Sequence, residues 1–265
     1  MKNILIIHRY FWPENISNTP LMLADLVDYH ILKNDRVHIC CGSSFDFKTE
    51  RKKRFNGKIS INYFISNLDR DISFFMRFIN IFRLINKSFR AINKNNFDII
   101  YIVSYPPFLA IFILLLRDIL RKKYKLIFLL QDNFSYRFKF LLLRKIYNYT
   151  LKITILQSLF TIVISQAMKN YILKNNNIDL LNNKIHLLRN YNIDEIVKDI
   201  PKKDIDIIYA GNHGKAQNLK YFLNALYLLK DINLRVEFYG GGKEKQKLIK
   251  YAKRLDLNIN FNRNI

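Results

Sequence analysis

Tyr209-Ala-Gly-Asn-His-Gly-Lys-Ala-Gln-Asn-Leu219 is the stretch whose reading decides the fold. It follows the short apolar run Ile205–Ala210, which reads as a buried strand, and precedes Leu219, Phe222, Leu223, Leu226 and Leu229, apolar residues at helical spacing. Two glycines, Gly211 and Gly214, thus lie between a strand and a helix. Glycine lets the backbone turn sharply and approach a ligand. The first turn of a helix offers unpaired N–H groups and partial positive charge, which suit a phosphate. Lys215 adds a full charge. The plainer reading is a strand–turn–helix whose glycines serve turn geometry alone, and short glycine motifs do not separate the two.

Working outward, strand and helix signals alternate through the chain. Apolar runs predict strands at 3–8, 36–41, 59–65, 97–103, 124–130, 159–165 and 184–188. Helical periodicity falls at 21–32, 72–91, 108–120, 138–156 and 166–175. Residues 45–58 are basic and read as a loop, with Gly42 ending the strand before it. A polar stretch with Pro201, residues 190–204, reads as a linker. A second alternation then runs from Ile205: helix to Lys230, strand 233–239, the Gly240-Gly-Gly242 turn, helix 243–254 and strand 258–261. Such alternation predicts an α/β protein with largely parallel sheets, in domains 1–200 and 201–265. The second is expected to be half a doubly wound domain with an unpaired sheet edge and exposed apolar faces.

The formal charge of +23 over 265 residues has two readings. One is compositional drift, since Lys, Asn and Ile abound throughout. The other is an anionic partner. No helix-turn-helix, zinc or RNA-recognition motif accompanies the charge, so no nucleic acid is expected. Residues Phe74–Lys94 and Arg137–Lys152 interleave basic and large apolar side chains, as helices lying in an anionic bilayer surface do. An amphipathic core helix with a solvated basic face is the commoner case. The apolar start of the chain is too short for a signal peptide, and the longest apolar run, Pro106–Leu116, is about half a membrane span. The expectation is a cytoplasmic protein, peripheral at the inner face of the cell membrane. Cys40 and Cys41 are adjacent on a strand, point to opposite faces and read as small buried hydrophobes. The histidines show no metal-ligand spacing.

Several motifs together carry a resemblance. Tyr10-Phe-Trp-Pro-Glu-Asn15, Ser104-Tyr-Pro-Pro-Phe108, Leu130-Gln-Asp132, Val163-Ile-Ser-Gln-Ala-Met168, Leu188-Arg-Asn-Tyr-Asn-Ile-Asp194, Tyr209–Gln217 and Phe238-Tyr-Gly-Gly-Gly-Lys-Glu244 occur in one order. They resemble bacterial glycosyltransferases of family 4, in the branch that builds colanic acid and related exopolysaccharides. The likeness covers nearly the whole chain. It implies the GT-B architecture, two Rossmann-like doubly wound sheets with the active site in the cleft between them, the second sheet here incomplete. It also implies a retaining transfer of a sugar from a UDP- or GDP-sugar, without a cofactor or a required metal. The acceptor would be a polyprenyl-diphosphate-linked or other glycan of exopolysaccharide, capsule or lipopolysaccharide synthesis.

On this resemblance the donor residues are Gly211, Asn212, Gly214, Lys215, Gln217, Gly240, Gly241, Gly242 and Glu244. The acceptor residues are Pro13, Glu14 and Asn15, and Asp132 is the carboxylate that orients the acceptor hydroxyl or takes its proton. Plainer readings stand beside these: a solvated lysine at Lys215, a capping carboxylate at Glu244 and a turn aspartate at Asp132. The family's Glu-x7-Glu element would fall beyond Ile265, so little or no transferase activity is expected of this chain alone. The alternative is a non-catalytic membrane-surface or partner-binding protein of the same fold, or half of a split enzyme. An oxidoreductase is disfavoured, because His8-Arg-Tyr-Phe-Trp-Pro13 follows the first strand in place of a Gly-x-Gly-x-x-Gly turn.

Overall fold

The computed structural model describes residues 1–14, 18–65, 73–135, 138–176, 179–189 and 204–262. The chain forms two compact units, 1–192 and 193–265. The linker expected at 190–204 lies almost wholly outside the described residues.

Unit 1 is a seven-stranded parallel sheet. Its strands are β1 (Asn3–Ile7), β2 (Arg36–Ser43), β3 (Ile59–Ile65), β4 (Ile99–Val103), β5 (Lys125–Leu130), β6 (Phe160–Val163) and β7 (Ile185–Leu187), in the order β3-β2-β1-β4-β5-β6-β7. β1 pairs with β2 from Asn3 opposite Arg36, and with β4 from Ile4 opposite Ile99. Central parallel strands are covered on both faces, which is why β1, β4 and β5 are almost continuously apolar. The chain steps one way from β1 to β3, then returns to β4 and steps the other way. With right-handed crossovers this divides the helices between the two faces.

α1 (Thr19–Leu32) and α2 (Lys48–Phe55) cover one face, where Leu23, Ala24, Val27 and Phe55 pack on Ile4, Ile6, Ile39 and Cys41. The other face carries α3 (Phe74–Lys94), α4 (Leu109–Ile119), α5 (Leu141–Gln157) and α6 (Gln166–Asn176). There Leu84, Ile92, Ile113, Tyr147 and Ile155 pack on Leu5, Ile7, Cys40, Ile100 and Ile102. Cys40 and Cys41 therefore sit in different cores, free and buried, with burial pushing both thiols up to about 12.

Two local expectations change. Residues 48–55 form a helix where a loop was expected. In Lys-Thr-Glu-Arg-Lys-Lys-Arg-Phe only Arg51 and Phe55, one turn apart, are buried, so apolar periodicity gives no signal. Arg54 ties α2 to α1, reaching Asp25 at 2.9 Å and Asp28 at 2.8 Å. Strand β2 also continues through Gly42 to Ser43.

Unit 2 is a three-stranded parallel sheet of β8 (Ile207–Ala210), β9 (Val236–Tyr239) and β10 (Ile259–Asn262), in the order β10-β9-β8, with α7 (Leu219–Leu228) and α8 (Lys245–Arg254). Leu219, Leu223, Leu226, Leu248 and Ala252 pack on Val236 and Phe238. Side chains alternate along a strand, so the opposite face carries Ile208, Glu237, Tyr239, Asn260 and Asn262. It is largely polar; the exposed apolar surface of the unit lies at Tyr221, Leu228 and Ile232, with Ile208 on the sheet. The Glu237 carboxylate accepts from Tyr239 Oη at 2.5 Å, Asn262 Nδ2 at 3.2 Å and Arg235 Nη2 at 3.3 Å.

Candidate functional site

The Gly211–Gly214 turn leaves the carboxyl end of β8, and the Gly240–Gly242 turn leaves the carboxyl end of β9. The two interlock. The Gly211 N–H donates to the Tyr239 carbonyl at 3.0 Å, the His213 N–H to the Gly241 carbonyl at 2.8 Å and the Glu244 N–H to the His213 carbonyl at 3.0 Å. The fit requires glycine. At Gly240, φ is +127° and a Cβ would stand 2.0 Å from the Gly211 carbonyl oxygen; at Gly242, φ is +148° and a Cβ would stand 2.6 Å from the His213 carbonyl oxygen. Near Gly214, a Cβ would meet Gln217 Oε1 at 2.8 Å and Asn212 Nδ2 at 2.9 Å. The structure thus brings Gly211, Asn212, Gly214, Gln217, Gly240, Gly241, Gly242 and Glu244 together.

A 3-10 turn, Lys215–Gln217, leads from Gly214 into α7. The amides of Gly214, Lys215 and Ala216 find no acceptor among the described residues. Lys215 is exposed beside them. Lys220 lies with Nζ 4.7 Å from the centre of the Tyr251 ring. A cation the sequence reading passed over is held at the turn itself: Lys245 Nζ donates to the Gly240 carbonyl at 2.8 Å and the Asn262 carbonyl at 2.5 Å. Its only sequence signal is its place at the start of the helix after the triple glycine.

His213 is fully enclosed. Its ring stacks on Phe238 at 6.0 Å with an interplanar angle of 5° and meets Tyr209 and Phe261. Burial, then the charge of Lys245, lowers its pKa, keeping it neutral. It is a packing residue of the turn.

In unit 1 the corresponding ends belong to β1, β4 and β5. β1 and β4 are neighbours that the chain leaves in opposite directions, and ligands of doubly wound sheets sit at such a switch point. After β5, the amides of Gln131 and Asp132 both donate to Ser104 Oγ at 3.2 Å, fixing the Asp132 backbone while its side chain stays exposed. Gln131 Oε1 accepts from Thr19 Oγ1 at the start of α1.

After β1, Glu14 is buried and its carboxylate is engaged. It accepts from the Ser44 amide at 2.5 Å, from Ser44 Oγ at 2.9 and 2.8 Å, and from Ser43 Oγ at 3.3 Å. Arg51 holds the same loop from below, donating to the Trp12 carbonyl at 2.8 Å and to Ser43 Oγ at 3.1 Å. Glu14 therefore shapes the loop, and Pro13 follows Trp12 across a cis peptide bond. Asn15, the third acceptor residue of the sequence reading, lies outside the described residues. Among the described residues, no group of three His, Cys, Asp or Glu side chains is placed to hold a metal ion.

A doubly wound seven-stranded parallel sheet followed by a second, smaller parallel sheet, each with its loops at the strands' carboxyl ends, matches the GT-B fold of glycosyltransferases. Solved structures agree. The lipopolysaccharide outer core galactosyltransferase WaaB, in its apo form, matches all of this chain over 68% of its own, with a TM-score of 0.63 at 13% identity. TarM of S. aureus, in complex with fondaparinux, α-GlcNAc-glycerol and UDP, matches all of it over 78% of its own, with a TM-score of 0.61 at 10% identity. The UDP-GlcNAc 2-epimerase of Neisseria meningitidis, bound to UDP-GlcNAc, matches all of it over 73% of its own, with a TM-score of 0.55 at 14% identity. At these identities the likeness speaks for the fold, which transferases and an epimerase share. No curated protein sequence matches the chain. The sequence profile of Glycosyltransferase Family 4 matches residues 21–191. The chain belongs to glycosyltransferase family 4.

Proposed function

We propose that this protein transfers a sugar, with retention at the anomeric carbon, from a nucleotide diphosphate donor to a lipid-linked glycan acceptor in the assembly of a surface polysaccharide. The observation that carries the reading is the pair of interlocked glycine turns, with the amides of Gly214, Lys215 and Ala216 left without acceptors. As the glycosidic bond breaks, the departing diphosphate gains negative charge. Fixed N–H groups and the Lys215 ammonium aimed at that charge lower the barrier. Asn212 and Gln217 contact the phosphates from the same turn, and Glu244 stands at the start of α8 behind it, its carboxylate paired with Lys247. Asp132 orients the acceptor hydroxyl from the end of β5, and the loop after β1 that Glu14 and Pro13 shape lines the acceptor's place.

The acceptor's lipid places the enzyme at an anionic membrane surface. The outward aromatic stripe of α3 and the apolar start of α5, both flanked by lysine and arginine, support this. No helix among the described residues is long and apolar enough to cross a membrane.

Donor binding tests the proposal. UDP- and GDP-sugars are titrated while thermal stability is followed, since a ligand that binds only the folded state raises it. One donor should raise the midpoint in a saturable way, and Gly214→Trp, which fills the turn, should abolish the rise. No stabilisation by any UDP- or GDP-sugar would favour the second reading, a non-catalytic membrane-surface protein of the same fold.

A further inference from the structure

We propose that Arg9, at the switch point of the unit 1 sheet, is an oxyanion-binding residue that receives a carboxylate or phosphoryl group of the acceptor. It stands two residues beyond β1, facing the residues that leave β4. Its guanidinium carbon lies 4.7 Å from the centre of the Tyr10 ring and 5.2 Å from that of Tyr105. Two rings flank the group through cation–π contacts, while the arginine as a whole is only partly buried. Nη2 is buried and has no hydrogen-bond partner among the described residues.

A buried cationic donor without an acceptor is unfavourable, so a native structure that keeps one calls for a missing partner. The described residues supply none. No carboxylate among the described residues forms an ion pair with Arg9. The nearest acid along the loop, Glu14, is taken by Ser43 and Ser44. His8, buried behind it, does not share the work: it is bonded to the Tyr10 carbonyl and neutral. What remains is a fixed guanidinium at the place where doubly wound sheets take ligands. A planar fork with unused N–H groups matches the two oxygens of a carboxylate or phosphate.

That the oxyanion belongs to the acceptor rests on the transferase reading above; the oxyanion site rests on the geometry of Arg9 alone. Its two possible sources are an acidic sugar and the diphosphate of a lipid carrier. Isothermal titration of the full chain at constant ionic strength separates them, with sodium glucuronate in one arm and sodium pyrophosphate in the other. At least one anion should bind the unaltered chain. Arg9→Gln should weaken that binding about tenfold or more, while Lys215→Ala leaves the Arg9-dependent part in place.

Should Arg9→Gln fail to fold, Arg9→Lys decides the matter, since it keeps the charge, loses the fork and should still weaken binding several-fold. Undiminished affinity in whichever variant folds overturns the proposal, as does the absence of binding by both anions. Donor titration runs separately. Nucleotide-sugar binding without Arg9-dependent anion binding defeats this inference alone, and the converse defeats the transferase reading alone.

Discussion

Gly240 and His8 show at the residue scale how the strand ends are built. Gly240 sits at φ +127° with the Gly211 carbonyl where a side chain would be. Gly240→Ala must either move that carbonyl or open the turn, at a cost of about 1–3 kcal/mol. Urea unfolding should report the loss, and donor binding should fall with it. Gly57 has a positive φ too, but open space around it, so Gly57→Ala carries only the backbone strain and should spare the donor.

His8 gives a pH dependence with a definite sign. Burial, opposed by its bond to the Tyr10 carbonyl and aided by the Arg9 charge, lowers its pKa to about 4. The unfolded chain then binds a proton that the folded chain refuses between pH 6.5 and about 4. The contribution is full above the unfolded value and lost as pH falls through the folded one, about 3 kcal/mol in all. Unfolding free energies measured across that range should fall less steeply in His8→Asn. The buried thiols behave in parallel. Cys40 and Cys41, held protonated up to about 12, should resist alkylation at neutral pH until the chain unfolds.

At the scale of elements, α3 departs from what periodicity alone would place in a core. Leu84, Ser88, Ala91 and Ile92 are buried, while Phe75, Phe78 and Phe82, on the opposite side, are 71%, 62% and 64% exposed. α5 begins in the same way, with Leu141 and Leu142 exposed next to Arg144 and Lys145. Both helices cover the same sheet face and start at the strands' carboxyl end. Aromatic rings that contribute nothing to a core are replaceable without loss of fold. Phe78→Ser with Phe82→Ser should therefore leave the melting midpoint nearly unchanged and sharply reduce co-sedimentation with phosphatidylglycerol vesicles. Unchanged sedimentation would assign the stripe another partner.

α2 teaches the reverse lesson. Its sequence looks solvated, yet Arg51 is buried, donating to backbone carbonyls and Ser43 while its Nη1 has no partner among the described residues. Long basic side chains can be structural, and a linear pattern does not separate these from solvated ones.

At the scale of the molecule, charge and topology act together. A net +23 makes any association with an anionic bilayer depend on ionic strength. Raising salt from about 0.05 M to about 0.5 M shortens the screening length severalfold. Vesicle binding should drop accordingly, leaving the part due to aromatic insertion. Binding that ignores salt would mean that the charge is compositional drift.

The strand and helix succession was legible because parallel strands buried on both faces are apolar throughout, and because Gly211, Gly214 and Gly240–Gly242 punctuate it. The family was legible from motifs in order, among them Tyr10–Asn15 and Leu130–Asp132, and the profile matched over residues 21–191 bears out the family. What the linear sequence could not carry was everything set by neighbours distant along the chain. The engagement of Glu14 by Ser43 and Ser44, the enclosure of His213, the pinning of Lys245 and the orphaned nitrogen of Arg9 each depend on which side chains a strand order brings together. Burial and hydrogen-bond satisfaction belong to that arrangement in space. The sequence by itself determined most of the elements, α2 excepted, and the lineage, because local periodicity and turn chemistry act over a few residues. The tertiary structure alone decided which charged side chains serve the fold and which remain free for a ligand.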